Sequence, residues 1–327
     1  MDFEGSQVLI SGGLGFIGSN LARRLVVSGA RVTLIDNLMP QFGGNLANVE
    51  DLEAKLQIRI SDVRDQKIMD DLVKGKDFLF NLVGQTSHLD SMTDPLVDLE
   101  INSKSQLSIL EAVRTHNPAL RIVFSSTRQI YGKPKYLPVD EMHPIAPVDV
   151  NGINKYAGEC YHLLYNRVYG IPCTALRLTN TYGPGMRVKD SRQTFLGIWM
   201  KNLLKGDPIE VFGDGLQLRD FNFVEDVVDA LLLAALSKSS VGRVMNLGSR
   251  EVIDLKSLAE KIVSIHGEGV SKLIPFPADR KAIDIGDYFS DFALAQATLG
   301  WEPKIGLDAG LSRTLDFYRA RGDKYWN

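Results

Sequence analysis

The chain has 327 residues, with 37 Lys and Arg against 40 Asp and Glu and a net charge of −3. That balance excludes the strongly basic surface a nucleic-acid partner needs, and 44% hydrophobic with 24% charged residues excludes a disordered chain. The two cysteines, Cys160 and Cys173, make no disulfide framework and no zinc spacing, and no apolar run approaches the roughly 18 residues of a membrane span. With an acidic rather than basic N-terminus, a cytoplasmic protein without a metal or a membrane partner is expected.

In chain order, Gln7-Val8-Leu9-Ile10-Ser11 reads as a buried strand, followed by a glycine turn and an amphipathic helix at 16–28. Arg31-Val32-Thr33-Leu34-Ile35-Asp36 is a second apolar run that ends in an acid. Further strands are predicted at 56–60, 78–82, 121–125 and 173–178, and helices at about 65–73, 95–116 and 152–169. Short apolar runs alternating with helical periods predict an α/β protein with a parallel sheet and crossover helices. After Thr179 the pattern changes. A loop at 180–190 precedes a helix at 194–205, a strand at 209–212, helices at 225–236 and 255–265, and a strand near 244–247. Asp291 reads as the cap of a helix to 299, and 308–318 as the last helix. We place a domain boundary near 178, giving a cofactor half at 1–178 and a smaller substrate half at 179–327. Some later segments can return to the first sheet.

Gly12, Gly15 and Gly18 stand between the first strand and the first helix, in Ser-Gly-Gly-Leu-Gly-Phe-Ile-Gly. Such glycines permit the tight turn, the approach of backbone to a pyrophosphate and close helix packing. The helix start at Phe16 and Ile17 then offers N–H groups to phosphates. Asp36, 18 residues after Gly18, can accept both ribose hydroxyls and would repel a 2′-phosphate. This predicts a Rossmann-type doubly wound sheet that binds NAD rather than NADP. Asn37 follows the acid. Asp62 and Val63 follow the third strand, where the carboxylate can meet an adenine or cap the next helix. Leu82, Val83 and Gly84 end the fourth strand and let backbone lie along the cofactor.

Together with Phe124-Ser125-Ser126-Thr127, Leu176-Arg177-Leu178-Thr179-Asn180-Thr181-Tyr182-Gly183-Pro184, Val211-Phe212-Gly213-Asp214-Gly215 and Arg219-Asp220-Phe221, these residues resemble the extended short-chain dehydrogenase/reductase family. The closest likeness within it is to the NAD-dependent nucleotide-sugar epimerases and dehydratases, in particular those like UDP-glucose 4-epimerase. The resemblance implies Thr127 as the hydroxyl at the reacting oxygen and Lys155 as the lysine of a Tyr-x-x-x-Lys helix. The tyrosine position holds Asn151, which cannot ionise. Asn151 then either caps the helix or orients a sugar hydroxyl. Lys155, a water, His88 or Tyr131 remain to move the proton.

The same resemblance implies Asn102 among the cofactor contacts. It implies Ser87, His88, Asn180, Gln193, Glu210, Phe212 and Arg219 among the contacts to a nucleotide-diphosphate sugar, with either Arg280 or Lys281 as a second phosphate ligand. The dehydratases carry an Asp-Glu pair after the threonine, and this chain has Arg128-Gln129. That favours epimerisation at C4 of a hexose over dehydration or reduction. A non-catalytic binding protein is the other alternative. The basic residues Arg187, Lys189 and Arg192 suit a phosphate or acidic sugar, and the helical segments at 95–116 and 152–169 suit a homodimer interface.

Overall fold

The computed structural model describes residues 2–190 and 195–326. The strands in chain order are β1 (Gln7–Ser11), β2 (Arg31–Asp36), β3 (Leu56–Ile60), β4 (Phe78–Asn81), β5 (Arg121–Thr127) and β6 (Cys173–Leu178). There follow β7 (Asn180–Tyr182), β8 (Ile209–Phe212), β9 (Leu218–Phe223), β10 (Val244–Asn246), β11 (Val252–Asp254) and β12 (Ser271–Ile274). Seven of them form one parallel sheet in the order β10-β6-β5-β4-β1-β2-β3. The expected doubly wound α/β fold is therefore present. The central strands β1, β4, β5 and β6 are buried almost throughout, which is why they read as apolar runs and not as alternation.

Successive residues point to opposite faces of this sheet. Val8 and Ile10 join one core with Phe80 and the helix Val224–Leu236. Leu9 joins the other, with Leu79, Ile122 and residues Ile109, Leu110 and Val113 of the helix Ser105–His116. The chain winds outward from β1 to β3 and then returns to β4 beside β1. This reversal opens a crevice at the carboxyl ends of the strands, where ligands of such sheets bind.

Several elements differ from expectation. The continuous helix at 95–116 is instead Pro95–Leu99, a π-helical turn at Glu100–Lys104 and Ser105–His116. His88 opens a short helix not expected from the sequence, His88–Thr93, capped by Ser87. The long helix starts at Val150, and Asp149 is its cap, accepting from Gly152 N at 2.7 Å. Asn151 therefore is not a cap. Asp62 does not cap the helix Gln66–Leu72 either, because Asp65 does. The loop expected from 180 begins as β7, paired with β9. β10 joins the large sheet beside β6, so the chain after residue 179 contributes to it. Among the described residues no helix is long and apolar enough to cross a membrane.

Candidate active site

A cleft of about 660 Å³ lies over the crevice, within the range of small-molecule sites. One end is built by the glycine turn. Gly12 has φ +71°, and a Cβ there would meet Leu82 O at 3.0 Å. A Cβ on Gly18 would stand 2.3 Å from Gly12 O, so only glycine lets the helix Phe16–Val27 start this close to β1. That helix has no side-chain cap and no acid in its first turn. Its leading N–H groups face the cleft side of the turn as a ready anion site. A Cβ on Gly84 would meet the end of the Lys155 side chain, Nζ at 2.8 Å.

The carboxylates beside this turn differ in state. Asp36 accepts from Leu14 N at 3.1 Å and Leu38 N at 2.9 Å. Burial raises its pKa against those two bonds. Asp62 is held by the Arg64 guanidinium (2.7 and 2.9 Å) and by Asn37 Nδ2 (2.8 Å). These partners depress it to about 2, so it is a committed anion. Phe16, Ile17, Asn37, Val63, Leu82 and Val83 complete this wall. A narrow glycine cradle, an open helix start and an acid on the same cleft wall fit a dinucleotide.

At the other end Thr127 closes β5, and its Oγ1 accepts from Gln129 N at 3.2 Å. Lys155 Nζ donates to Ser125 O at 3.1 Å and lies 5.1 Å from the centre of the Phe124 ring. Burial lowers the Lys155 pKa to about 8, against the opposing charge of Asp98. Asn151 lines the cleft, yet only 2% of it is exposed. Its amide donates to Gln85 O at 2.7 Å and Asp98 Oδ2 at 3.1 Å. Asn154 occupies the other oxygen of Asp98 at 2.8 Å.

His88 also lines the cleft. Its Nδ1 lies 2.9 Å from Asp149 Oδ2, off the line of a hydrogen bond. Gln129 Nε2 donates to the same oxygen at 2.8 Å. Burial pushes the Asp149 pKa up, but His88, Gly152 N–H and Gln129 together hold it below the ordinary value. Tyr131 is out of reach of this chemistry. It is fully buried and away from the cleft wall, bonded to Asn246 and Arg177, and burial raises its pKa to about 12.

On the substrate side Asn180, Glu210, Phe212, Arg219 and Arg280 all line the cleft, and Lys281 does not. Arg219 Nη2 lies 3.6 Å from Asp284, and burial beside Arg128 lowers its pKa to about 10. Arg280 stacks over Phe212, 5.4 Å from the ring centre. Three expectations need correction. Asn102 stands behind the wall, because its side chain bonds both backbone groups of Gln85. Ser87 is likewise turned inward as the cap of its helix. Arg187 does not face a ligand, since Asp190 and Phe42 O hold it. Gln193 and Arg192 lie outside the described residues.

Sequence reasoning missed Asp98 and Asp149, whose roles depend on partners 50 or more residues away in chain, and passed over Arg128 as a cleft residue.

The profile of the NAD dependent epimerase/dehydratase family matches residues 8–248. The chain belongs to this family. Its cofactor is NAD. The UDP-glucose 4-epimerase of Mycolicibacterium smegmatis is 29% identical over 317 residues, covering 96% of this chain and 98% of the relative. The UDP-N-acetyl-alpha-D-glucosaminuronate decarboxylase of Bacillus cytotoxicus is 30% identical, covering 96% of this chain and 98% of the relative. The crystal structure of UDP-glucose 4-epimerase from Thermotoga maritima with UDP-glucose is similar with a TM-score of 0.86, at 30% identity over 96% of this chain and 99% of that one. Family members thus share this fold and differ in reaction.

Proposed function

We propose that this protein epimerises a nucleotide-diphosphate sugar, at C4 of the hexose, through a transient ketone. The observation that carries the reading is one cleft lined at one end by the glycine turn and Asp36 and at the other by Thr127, Lys155 and His88. Gly12, Gly15, Gly18, Asp36 and Lys155 hold NAD, which when bound supplies the acceptor and later the donor of hydride. Arg219 and Arg280 hold the diphosphate, and Phe212 and Glu210 flank the base. Residues 1–178 thereby act as the cofactor half and 179–327 as the sugar half.

Thr127 hydrogen-bonds the reacting oxygen. His88 receives its proton at Nε2, to which no described residue is bonded, and the Asp149 carboxylate 2.9 Å from Nδ1 stabilises the imidazolium that forms. The proton returns to the oxygen when hydride is delivered to the opposite face of the rotated ketone. Absence of a carboxylate pair after Thr127 speaks against dehydration. We infer a homodimer from the exposed apolar residues Leu96, Leu99, Ile153, Leu164 and Val168 on the helices Pro95–Leu99 and Val150–Tyr169.

Two measurements test this reading. Incubation with UDP-, dTDP-, GDP- and CDP-hexoses is expected to give the C4 epimer by NMR, with no net NADH and no loss of water. A product lighter by water, or no new sugar across the panel, would sink it. Separately, Asp36→Ala is expected to weaken NAD binding by about 10- to 100-fold in calorimetry, the worth of hydrogen bonds to a charged acceptor. NADP should then bind as well as NAD does.

A further inference from the structure

We propose that Arg128 receives a carboxylate carried by the sugar, so that the substrate is a nucleotide-linked uronic acid; this rests on the nucleotide-sugar reading of the cleft. Arg128 follows Thr127 directly and lines the same cleft. Its Nη2 donates to Asn180 Oδ1 at 3.1 Å. Its Nη1, covered from water, has no acceptor among the described residues. A covered donor left without an acceptor is costly, and more so in a charged group.

The carboxylates whose fields reach Arg128 are Asp220, Asp149 and Asp284, and none makes an ion pair with it. Asp149 serves His88, Gln129 and Gly152. Asp220 accepts from Thr179 Oγ1 at 2.5 Å and Ser290 N at 3.1 Å. Asp284 stands beside Arg219 and accepts from Gly286 N. The Arg128 side chain is otherwise packed over the Tyr288 ring, 5.0 Å from its centre. With protein partners committed elsewhere, the acceptor must arrive in the cleft. A planar guanidinium with one Nη donor left unpaired matches a carboxylate in shape and charge.

Phosphate would satisfy the same donor, but the placement favours the sugar. Arg128 is the next residue in the chain after Thr127, at the reacting end, whereas Arg219 stands beside Asp284. The diphosphate has Arg219 and Arg280, and the ring beyond it meets Arg128.

Calorimetry on the NAD-loaded full chain tests this with UDP, UDP-glucose and UDP-glucuronate, and with their dTDP counterparts. The uronate is expected to bind at least about tenfold more tightly than the neutral hexose, as one charge-assisted contact implies. Arg128→Gln should erase that ratio and leave the nucleoside diphosphate alone unchanged. Arg128→Lys, which keeps the charge and loses the fork, should retain part of it and guards against a folding defect. Equal wild-type affinity for the two sugars would overturn the proposal. So would an Arg128→Gln loss shared equally by the bare diphosphate, which would mark a phosphate ligand. If no nucleotide bound at all, the reading of the cleft itself would fall.

Discussion

His88→Gln is expected to lower kcat by about 10²–10⁴, the usual contribution of a positioned acid–base group. Glutamine keeps a polar side chain of similar reach and cannot carry the proton. The histidine is the only cleft-lining imidazole among the described residues, and its Nδ1 is 2.9 Å from a buried carboxylate. The kinetic signature matters more than the loss. In the wild type, kcat/KM should fall as pH rises through about 8, where Lys155 loses its charge. His88→Gln should lower kcat and keep this alkaline limb. Asp149→Asn separates two roles of that residue, because asparagine caps a helix nearly as well but cannot stabilise an imidazolium. It should reduce turnover while the protein stays folded. An unchanged kcat in His88→Gln would move the proton chemistry to Lys155 or to water.

The second large effect concerns Asn151. If it marked a vacant tyrosine position, Asn151→Tyr would raise turnover. The hydrogen bonds point the other way. The asparagine amide is the donor to Gln85 O and to one oxygen of buried Asp98, and its backbone N–H donates to Ser91 Oγ at 3.2 Å. Tyrosine removes an acceptor's partner, at about 1–3 kcal/mol, and overfills a packed site, at a further 1–3 kcal/mol or so. A loss of about 2–6 kcal/mol in urea unfolding is expected, with no gain in turnover. Asn151→Ala, which only removes the donor, should sit at the lower end. A faster Asn151→Tyr enzyme would show that the amide merely fills a lost base's place.

What could be read from sequence follows from how local each signal is. The parallel strands β1, β4, β5 and β6 are buried on both sides and announce themselves as apolar runs. β9 does not. Leu218-Arg219-Asp220-Phe221-Asn222-Phe223 carries two charges, yet it is almost wholly buried. Arg219 Nη1 donates to the carbonyls of Leu218 and Gly286, and Asp220 accepts from Thr179 and Ser290. Such partners come from other parts of the chain, and no periodicity encodes them. The same holds in the cleft. The glycines and Asp36 form a local motif and were legible. Asp149 looks like any residue before a helix until the fold brings His88 against it. The apolar pattern at 95–116 hid the π-helical turn that carries Asn102 to Gln85.

The place of β10 has a consequence for how the chain can be divided. The chemistry changes character near residue 178, but the large sheet is not complete until 246 has been made. Cutting after β6 would strip a neighbour from a fully buried strand and leave its N–H and C=O groups unpaired. An exposed apolar edge of that kind recruits other chains. The last turn adds a second tie, since Tyr325 donates to Asn48 Oδ1 at 2.8 Å and Lys324 pairs with Glu50. Newly made chains must therefore hold an unfinished sheet edge until Asn246 has emerged, and residues 1–178 expressed alone inherit that edge permanently.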